Sequence, residues 1–275
     1  SLLSTMRSPI EFNYDGPRPS IPRGIRIGSV PYLNAVPLTW GLEREIVFLP
    51  PSELGLAIRE GELDVALLSI TQVLFEDRYR IIDGMGVCSR GPVRSVFLAH
   101  SDPLEEVKEV FCDPASLTSV NLLRVLLHRR GIHPNWRMLD SYDSAPDHRN
   151  VLLIGNPAIR FRSPRSRHTI WDLGKAWDEE MHLPFVYAVW VVRKEITDAK
   201  LFAKLRKAKD KGLEDLDRIV TNYPEFDGPF RQKYLTQNIH YHIGEDEKRG
   251  IDRFTHELRH FPDLKVYDPE FIASM

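Results

Sequence analysis

Apolar residues in this chain fall into short β-branched runs and helical stripes, with turn formers at the joints. Ile25-Arg26-Ile27-Gly28 reads as a strand entering a turn at Pro31. Strand patterns follow over residues 45–49 and 64–68, with a helix predicted between them over 52–60. Ser52 is of the type that caps a helix N-terminus, and Gly61 stands where a glycine is favoured just past a helix end. Strand signals recur over 93–99, 109–112, 151–154 and 185–192, and helices are predicted over about 118–130 and 172–180. Strands alternating with helices predict a mostly parallel sheet with crossover helices, an α/β fold.

The two ends differ from this middle. Residues 1–23 hold four prolines and show neither period, so a flexible lead-in is expected there. From Glu195 onward the pattern is helical with almost no strand signal. Leu201, Leu205, Ala208, Leu216, Ile219 and Val220 form one apolar stripe, and Ile251, Phe254, Leu258 and Phe261 a second. Gly212 interrupts the first stripe, at a cost of about 1 kcal/mol against alanine.

Composition narrows the class. The 275 residues are 42% hydrophobic and 28% charged, the balance of a soluble globular chain of one large α/β unit or two smaller domains. With 37 Lys+Arg against 39 Asp+Glu there is no basic excess, which argues against a nucleic-acid partner. No apolar run approaches the roughly 18 residues of a membrane span. The two cysteines, Cys88 and Cys112, suit a reducing compartment, and no export signal is apparent, so a cytoplasmic location is expected.

Candidate chemistry is sparse. Neither phosphate-loop glycine pattern nor G-x-S-x-G occurs, so no nucleotide cofactor is expected. His256-Glu257-Leu258-Arg259-His260 satisfies the zinc-protease pattern, but at about 100° per residue both histidines point away from the second apolar stripe. Glu270 is the one later carboxylate suitably placed as a third ligand. His240 and His242 would share a strand face, without a nearby Cys, Asp or Glu. No metal is expected at either pair. Small polar residues instead cluster where strands end and helices begin: Asn34, Ser69 and Thr71, Ser95, Ser116, Thr118 and Ser119, and Asn156. Ligands of open α/β sheets bind beyond the carboxyl ends of strands. Hydroxyls and free N–H groups at helix N-termini favour anions. Each such residue could simply cap its helix, but several together point to a small anion held by neutral donors.

Asn34, Ser95, Ser116, Thr118, Ser119 and Asn156 lie in stretches that resemble the chorismate dehydratases of the futalosine route to menaquinone. Ile27-Gly28-Ser29-Val30-Pro31-Tyr32-Leu33-Asn34-Ala35-Val36-Pro37-Leu38 is similar to that family's opening. Gly91-Pro92-Val93-Arg94-Ser95-Val96, Asp113-Pro114-Ala115-Ser116-Leu117-Thr118-Ser119-Val120 and Leu153-Ile154-Gly155-Asn156 follow in family order. Asp172-Leu173-Gly174, Leu183-Pro184-Phe185-Val186-Tyr187-Ala188-Val189-Trp190 and the segment from Tyr234 to Ile251 complete the set, which spans about residues 25–261. The family usually carries Asp where Asn156 stands here, followed by a residue other than Pro157.

The resemblance implies a two-lobed, periplasmic-binding-protein-like type II fold with the ligand cleft between the lobes. Lobe one would comprise residues 24–96 and 192–275, and lobe two residues 97–191, with the late helices packing on lobe one. It implies loss of water from chorismate, a small-molecule partner; no cofactor, metal, nucleic-acid partner or membrane is expected, and the oligomeric state is left open. Asn34 and Ser95 are the expected catalytic residues. Tyr32, Ser69, Thr118, Ser119 and Asn156 are the expected substrate-binding residues. None is a conventional base, so either a group outside these motifs or the substrate itself takes the proton. Because most proteins of this architecture only bind solutes, a non-catalytic solute-binding or sensor protein is the first alternative. The related 1,4-dihydroxy-6-naphthoate synthase is the second, although Val30-Pro31-Tyr32-Leu33-Asn34 replaces the Ser-Pro-Cys-Pro-Asn-like segment expected of it.

Overall fold

Apolar runs bounded by Gly, Pro and Asp build the strands. They are β1 (Ile27–Ser29), β2 (Ile46–Phe48), β3 (Val65–Ser69), β4 (Tyr79–Ser89), β5 (Val96–His100) and β6 (Glu109–Cys112). Then come β7 (Asn135–Met138), β8 (Asn150–Ile154), β9 (Thr169–Asp172), β10 (Phe185–Arg193), β11 (His240–His242) and β12 (Phe271–Ile272). The helices are α1 (Val36–Thr39), α2 (Pro51–Arg59), α3 (Ile70–Phe75), α4 (Leu117–His128) and α5 (Gly155–Arg160). They continue with α6 (Leu173–Met181), α7 (Ala199–Glu214), α8 (Leu216–Asn222), α9 (Gly228–Lys233) and α10 (Glu245–Leu258). This computed structural model describes residues 24–115, 117–161 and 167–273. The expected lead-in over 1–23 and Ser116 lie outside the described residues.

Two sheets form. The larger runs β11-β4-β10-β3-β1-β2, with β12 beside β4, and the smaller runs β7-β6-β8-β5-β9. β3 and β10 are buried almost throughout, as continuous apolar runs such as Val65-Ala66-Leu67-Leu68 require. The sheets are mixed rather than mostly parallel. β10 lies antiparallel between β3 and β4, and β5 antiparallel between β8 and β9. β5 follows the chain's passage into the second lobe and β10 its return, and each runs against its neighbours. β10 is hydrogen-bonded within the larger sheet from Phe185 onward, so the partition expected at residue 191 cuts through this strand.

Three local expectations shift. The helix predicted from Ser52 starts at Pro51, with Pro50 as its N-cap and no side-chain cap, because a proline at the first helical position needs no N–H partner. β4 is the longest strand, yet Asp83, Gly84 and Gly86 break its alternation, and its register with β10 shifts. β12 emerges from the last third, where almost no strand signal is expected, and β11 forms where His240 and His242 are expected to share a strand face; both pair with β4. Such short edge strands carry little local signal. Among the described residues, no helix is long and apolar enough to cross a membrane.

The late helices cover the larger sheet, α7 against α1 and α10 against β10. α7 buries Leu201, Phe202, Leu205 and Ala208, while Asp198 caps it by accepting from the N–H groups of Lys200 and Leu201. Two glycines allow unusually close approach. A Cβ at Gly212 would stand 2.0 Å from the Pro37 carbonyl oxygen, and one at Gly250 would stand 2.2 Å from that of Pro184. Gly212 therefore occupies an apolar stripe for packing reasons, against its poor helix propensity.

This sets two effects of opposite sign against each other. Gly212→Ala should gain about 1 kcal/mol in helix propensity but force backbone apart, at a cost of roughly 1–3 kcal/mol or more. We expect a net loss, read as a lower urea midpoint at unchanged slope. A stabilised variant would show that α1 moves aside freely.

Candidate active site

The chain turns sharply where β1 ends. Tyr32 is extended, and Leu33–Ala35 forms a single 3-10 turn. Leu33 and Ala35 are buried, which turns Asn34 to the opposite side, towards the gap between the sheets. Ser69 closes β3 at the N-cap position of α3, but its side chain makes no cap hydrogen bond there. Thr118 and Ser119 occupy the first turn of α4, and Ser95 directly precedes β5. Tyr32, Asn34, Ser69, Ser95, Thr118 and Ser119 all line one cavity of about 70 Å³, with Gly155, Tyr187 and apolar residues such as Val30 and Leu67. A larger open groove, about 900 Å³, lies by Asp102, Lys108, Glu109 and Arg149. It sits at the amino ends of β6 and β8, opposite to where sheets of this type bind ligands.

No described residue lining the small cavity is Asp, Glu, His, Lys or Arg. Its polar character comes from hydroxyls, one amide and backbone groups. Burial, reinforced by the nearby Asp113 charge, pushes the Tyr32 phenol far above its ordinary range, so it stays protonated. Gly155 is needed beside it. A Cβ there would lie 2.9 Å from the Tyr32 ring, and the backbone adopts φ +61°.

Asn156 does not line the cavity. Its Oδ1 accepts from the Leu33 N–H at 3.1 Å and its Nδ2 donates to the Tyr223 hydroxyl at 2.9 Å. Both ends of the amide are thus engaged within the protein, tying α5 of the smaller lobe to two segments of the larger one. The Thr118 hydroxyl also bridges lobes. It accepts from the Thr71 N–H at 3.2 Å and lies 2.8 Å from the Thr71 hydroxyl. Arg160 adds a two-pronged pair with Glu225, at 2.6 Å for each contact.

Several residues that shape the site carry no local signal of it. Asp172 accepts from the N–H groups of Val93 (3.0 Å), Arg94 (2.8 Å) and Lys175 (3.0 Å). One carboxylate therefore caps α6 and fixes the backbone just ahead of Ser95. It holds Arg94 at φ +71°, a conformation that non-glycine residues adopt only when their surroundings impose it. Tyr234 is fully buried, its hydroxyl meets Ser95 Oγ, and the Asn34 side chain is a second polar neighbour of that hydroxyl. Tyr187 bonds Ser89 Oγ at 2.8 Å. The family-like stretches contain Asp172, Tyr187 and Tyr234, but their partners lie far away in sequence.

The histidine motifs stand elsewhere. His256 and His260 are exposed, α10 ends at Leu258, and Glu257 is turned inward to Arg129 and Arg253. His240 meets Glu247 at 3.4 Å, a carboxylate that folding brings near, and His242 lies 3.5 Å from Lys209 Nζ.

Comparison with known proteins places this geometry. Residues 25–260 match the sequence profile of a family described as menaquinone biosynthesis. The chain is 29% identical over 273 residues to a chorismate dehydratase of Thermus thermophilus, covering 89% of this chain and 98% of that protein. A protein of Archaeoglobus fulgidus superposes with a TM-score of 0.68 at 16% identity, over 85% of this chain and 96% of that one. The alkanesulfonate-binding protein of Xanthomonas axonopodis pv. citri, bound to MOPS, gives 0.59 at 13% identity, over 89% and 96%. At these identities the two structures establish the fold alone: the expected two-lobed, type II binding-protein architecture.

Asp113 lies behind the cavity wall. It is fully buried and accepts from the Ala115 N–H (3.0 Å), the Tyr142 hydroxyl (2.9 Å) and the Ile154 N–H (3.3 Å). Burial outweighs these donors and pushes its pKa up to about 6. A carboxyl raised on folding contributes stability that is complete below its unfolded value, near 4, and lost as pH climbs through about 6. The difference in unfolding free energy between wild type and Asp113→Asn should therefore fall between pH 4 and 6, by at most about 3 kcal/mol. A difference that does not vary with pH would mean that Asp113 ionises normally.

Proposed function

The chain belongs to the menaquinone-biosynthesis family, and from that premise we propose that it is a chorismate dehydratase. In this reading it is a cytoplasmic hydro-lyase that converts chorismate to 3-[(1-carboxyvinyl)oxy]benzoate and water. The observation that carries the reading is the cavity wall, which offers hydroxyl, amide and helix N-terminal donors but no charged side chain among its described residues. A dianion that brings its own base suits such a wall. The similarity to the Thermus thermophilus dehydratase, which extends over nearly all of that protein, supports the same substrate.

The reaction removes the hydrogen on ring carbon C3 and the hydroxyl on C4. C3–H is acidic because its carbanion delocalises through the adjacent double bond into the ring carboxylate. Donors at the start of α4, with Thr118 and Ser119 beside them, are suited to one carboxylate, where they would offset arriving charge. The enolpyruvyl carboxylate is the base: it takes the C3 proton as the C4–O bond breaks and the ring becomes aromatic. The departing oxygen then collects that proton and leaves as water, which restores the carboxylate. Asn34 orients the enolpyruvyl arm over C3–H, and Ser95 Oγ–H donates to the leaving hydroxyl. Tyr32 and Ser69 complete the wall around the ring, and Asn156 acts from behind by holding the Leu33 backbone next to Asn34.

Incubation of the purified protein with chorismate, followed by chromatography, tests the activity directly. We expect the aryl enol ether to accumulate as chorismate disappears. Saturable binding without turnover would instead make this a solute-binding protein.

Residue roles follow the same logic. Asn34→Ala should lower kcat by about 100-fold, the scale of lost orientation at a reacting centre, with a smaller change in KM. Ser95→Ala should cost about tenfold, one hydrogen bond to the leaving group. A chorismate analogue with the enolpyruvyl carboxylate esterified should bind and not react. A reacting ester would sink the substrate-as-base mechanism.

A further inference from the structure

Tyr234 sits at the start of a π-helical turn, Tyr234–Asn238, closed by a hydrogen bond from the Ile239 N–H to the Tyr234 carbonyl at 2.9 Å. Single π turns are rare and concentrate at functional sites, because the extra residue re-aims the side chains around it. Here the turn grips the loop carrying Ser95 at two points. The Asn238 amide donates to the Pro92 carbonyl at 3.1 Å, and the Tyr234 hydroxyl meets Ser95 Oγ. The Asn34 side chain is a polar neighbour of the same hydroxyl, and the Tyr234 ring stacks on Phe230 at 5.3 Å and 21°. Burial keeps the phenol protonated well beyond any working pH, so it has one hydrogen to give and lone pairs to accept with.

We propose that Tyr234 is a positioning residue that links Asn34 and Ser95 into one directed hydrogen-bond relay. The Asn34 amide N–H donates to the phenol oxygen, and the phenol O–H donates to Ser95 Oγ. With its acceptor side occupied, Ser95 keeps its own hydrogen for the cleft and aims it at the departing hydroxyl. Donors arranged head to tail also polarise one another, which strengthens the last one. Tyr234 itself touches no substrate; it stands outside the cavity lining. The proposal rests on the dehydratase reading for the role of Ser95.

The test is a double-mutant cycle with chorismate as substrate. Tyr234→Phe removes one oxygen and keeps the ring volume. It should lower kcat by up to about tenfold, the loss expected of Ser95→Ala, through which it acts, with KM changed by less than about threefold. In a Ser95→Ala background the same substitution should have little further effect, because the group it aims is gone. Equal losses in both backgrounds would show that Tyr234 acts only as a packing residue and overturn the relay. Phe230→Leu, at a half-buried site, loosens the stack under the Tyr234 ring and leaves the hydroxyl. It should give a smaller kcat loss that likewise disappears with Ser95→Ala, and it decides the matter should Tyr234→Phe fail to unfold cooperatively. Wild-type protein that forms no product would sink the dehydratase reading and the relay together. Normal turnover by Tyr234→Phe would sink the relay alone.

Discussion

At the first passage between lobes, a single carboxylate organises the junction. Asp172 ends β9, accepts the Lys175 N–H in the first turn of α6, and accepts the Val93 and Arg94 N–H groups from the segment leading into β5. The Val93 donor is part-buried and would cost roughly 1–3 kcal/mol if left unpaired, whereas Arg94 and Lys175 donate at exposed positions. Satisfying them together pins the left-handed Arg94, and so determines where Ser95 enters the cleft and which way β5 runs. The close glycine contact beside it depends on the same carboxylate: a Cβ at Gly174 would meet the Gly91 carbonyl at 2.7 Å and the Tyr187 hydroxyl at 2.8 Å.

From this junction outward, the electrostatic character of the molecule obeys a simple division. Charged groups are paired at the periphery, and the cleft is lined by neutral ones. Burial acts to raise Asp64, yet hydrogen bonds and charge from Arg26, with Arg193 adding its own, hold it below the ordinary carboxylate range. Arg149 does the same for Asp102, Arg160 for Glu225 and Arg124 for Asp263. Such largely exposed pairs contribute little each, about 0–1 kcal/mol. Their relevance is positional: Arg160–Glu225 and Arg124–Asp263 both join the smaller lobe to the larger one outside the cleft. The cavity wall instead presents only neutral groups among its described residues. Asp113 stands behind it, and burial raises its pKa to about 6.

The lobes meet through side chains that serve two elements at once. Thr118 lines the cavity and bonds Thr71, while Asn156 bonds both Leu33 and Tyr223. An amide can donate at one end and accept at the other, so Asn156 satisfies a backbone N–H and a phenol oxygen with no net charge. Cavity lining and lobe contact therefore share residues, and anything that displaces Thr118 or the Leu33–Ala35 turn is felt on both sides of the cleft.

Much of this was determined by local sequence. Runs such as Val65-Ala66-Leu67-Leu68 can only be buried strands, the periods over residues 201–220 and 251–261 can only be amphipathic helices, and small polar residues at strand ends mark the ligand side of the sheet. Those signals placed Asn34, Ser69, Ser95, Thr118 and Ser119, and the family resemblance joined them to one reaction. What the tertiary structure alone decided has a common physical origin, in pairing between segments far apart in the chain. β4 forms despite Asp83, Gly84 and Gly86 because β10, β11 and β12 supply its hydrogen bonds. Asn156 looked like a cleft residue, but its amide is taken up by Leu33 and Tyr223. Tyr234 opens a family-like stretch, but nothing local marked its contact with the site, since a buried tyrosine at a helix end reads as core until folding brings Ser95, 139 positions away, against its hydroxyl.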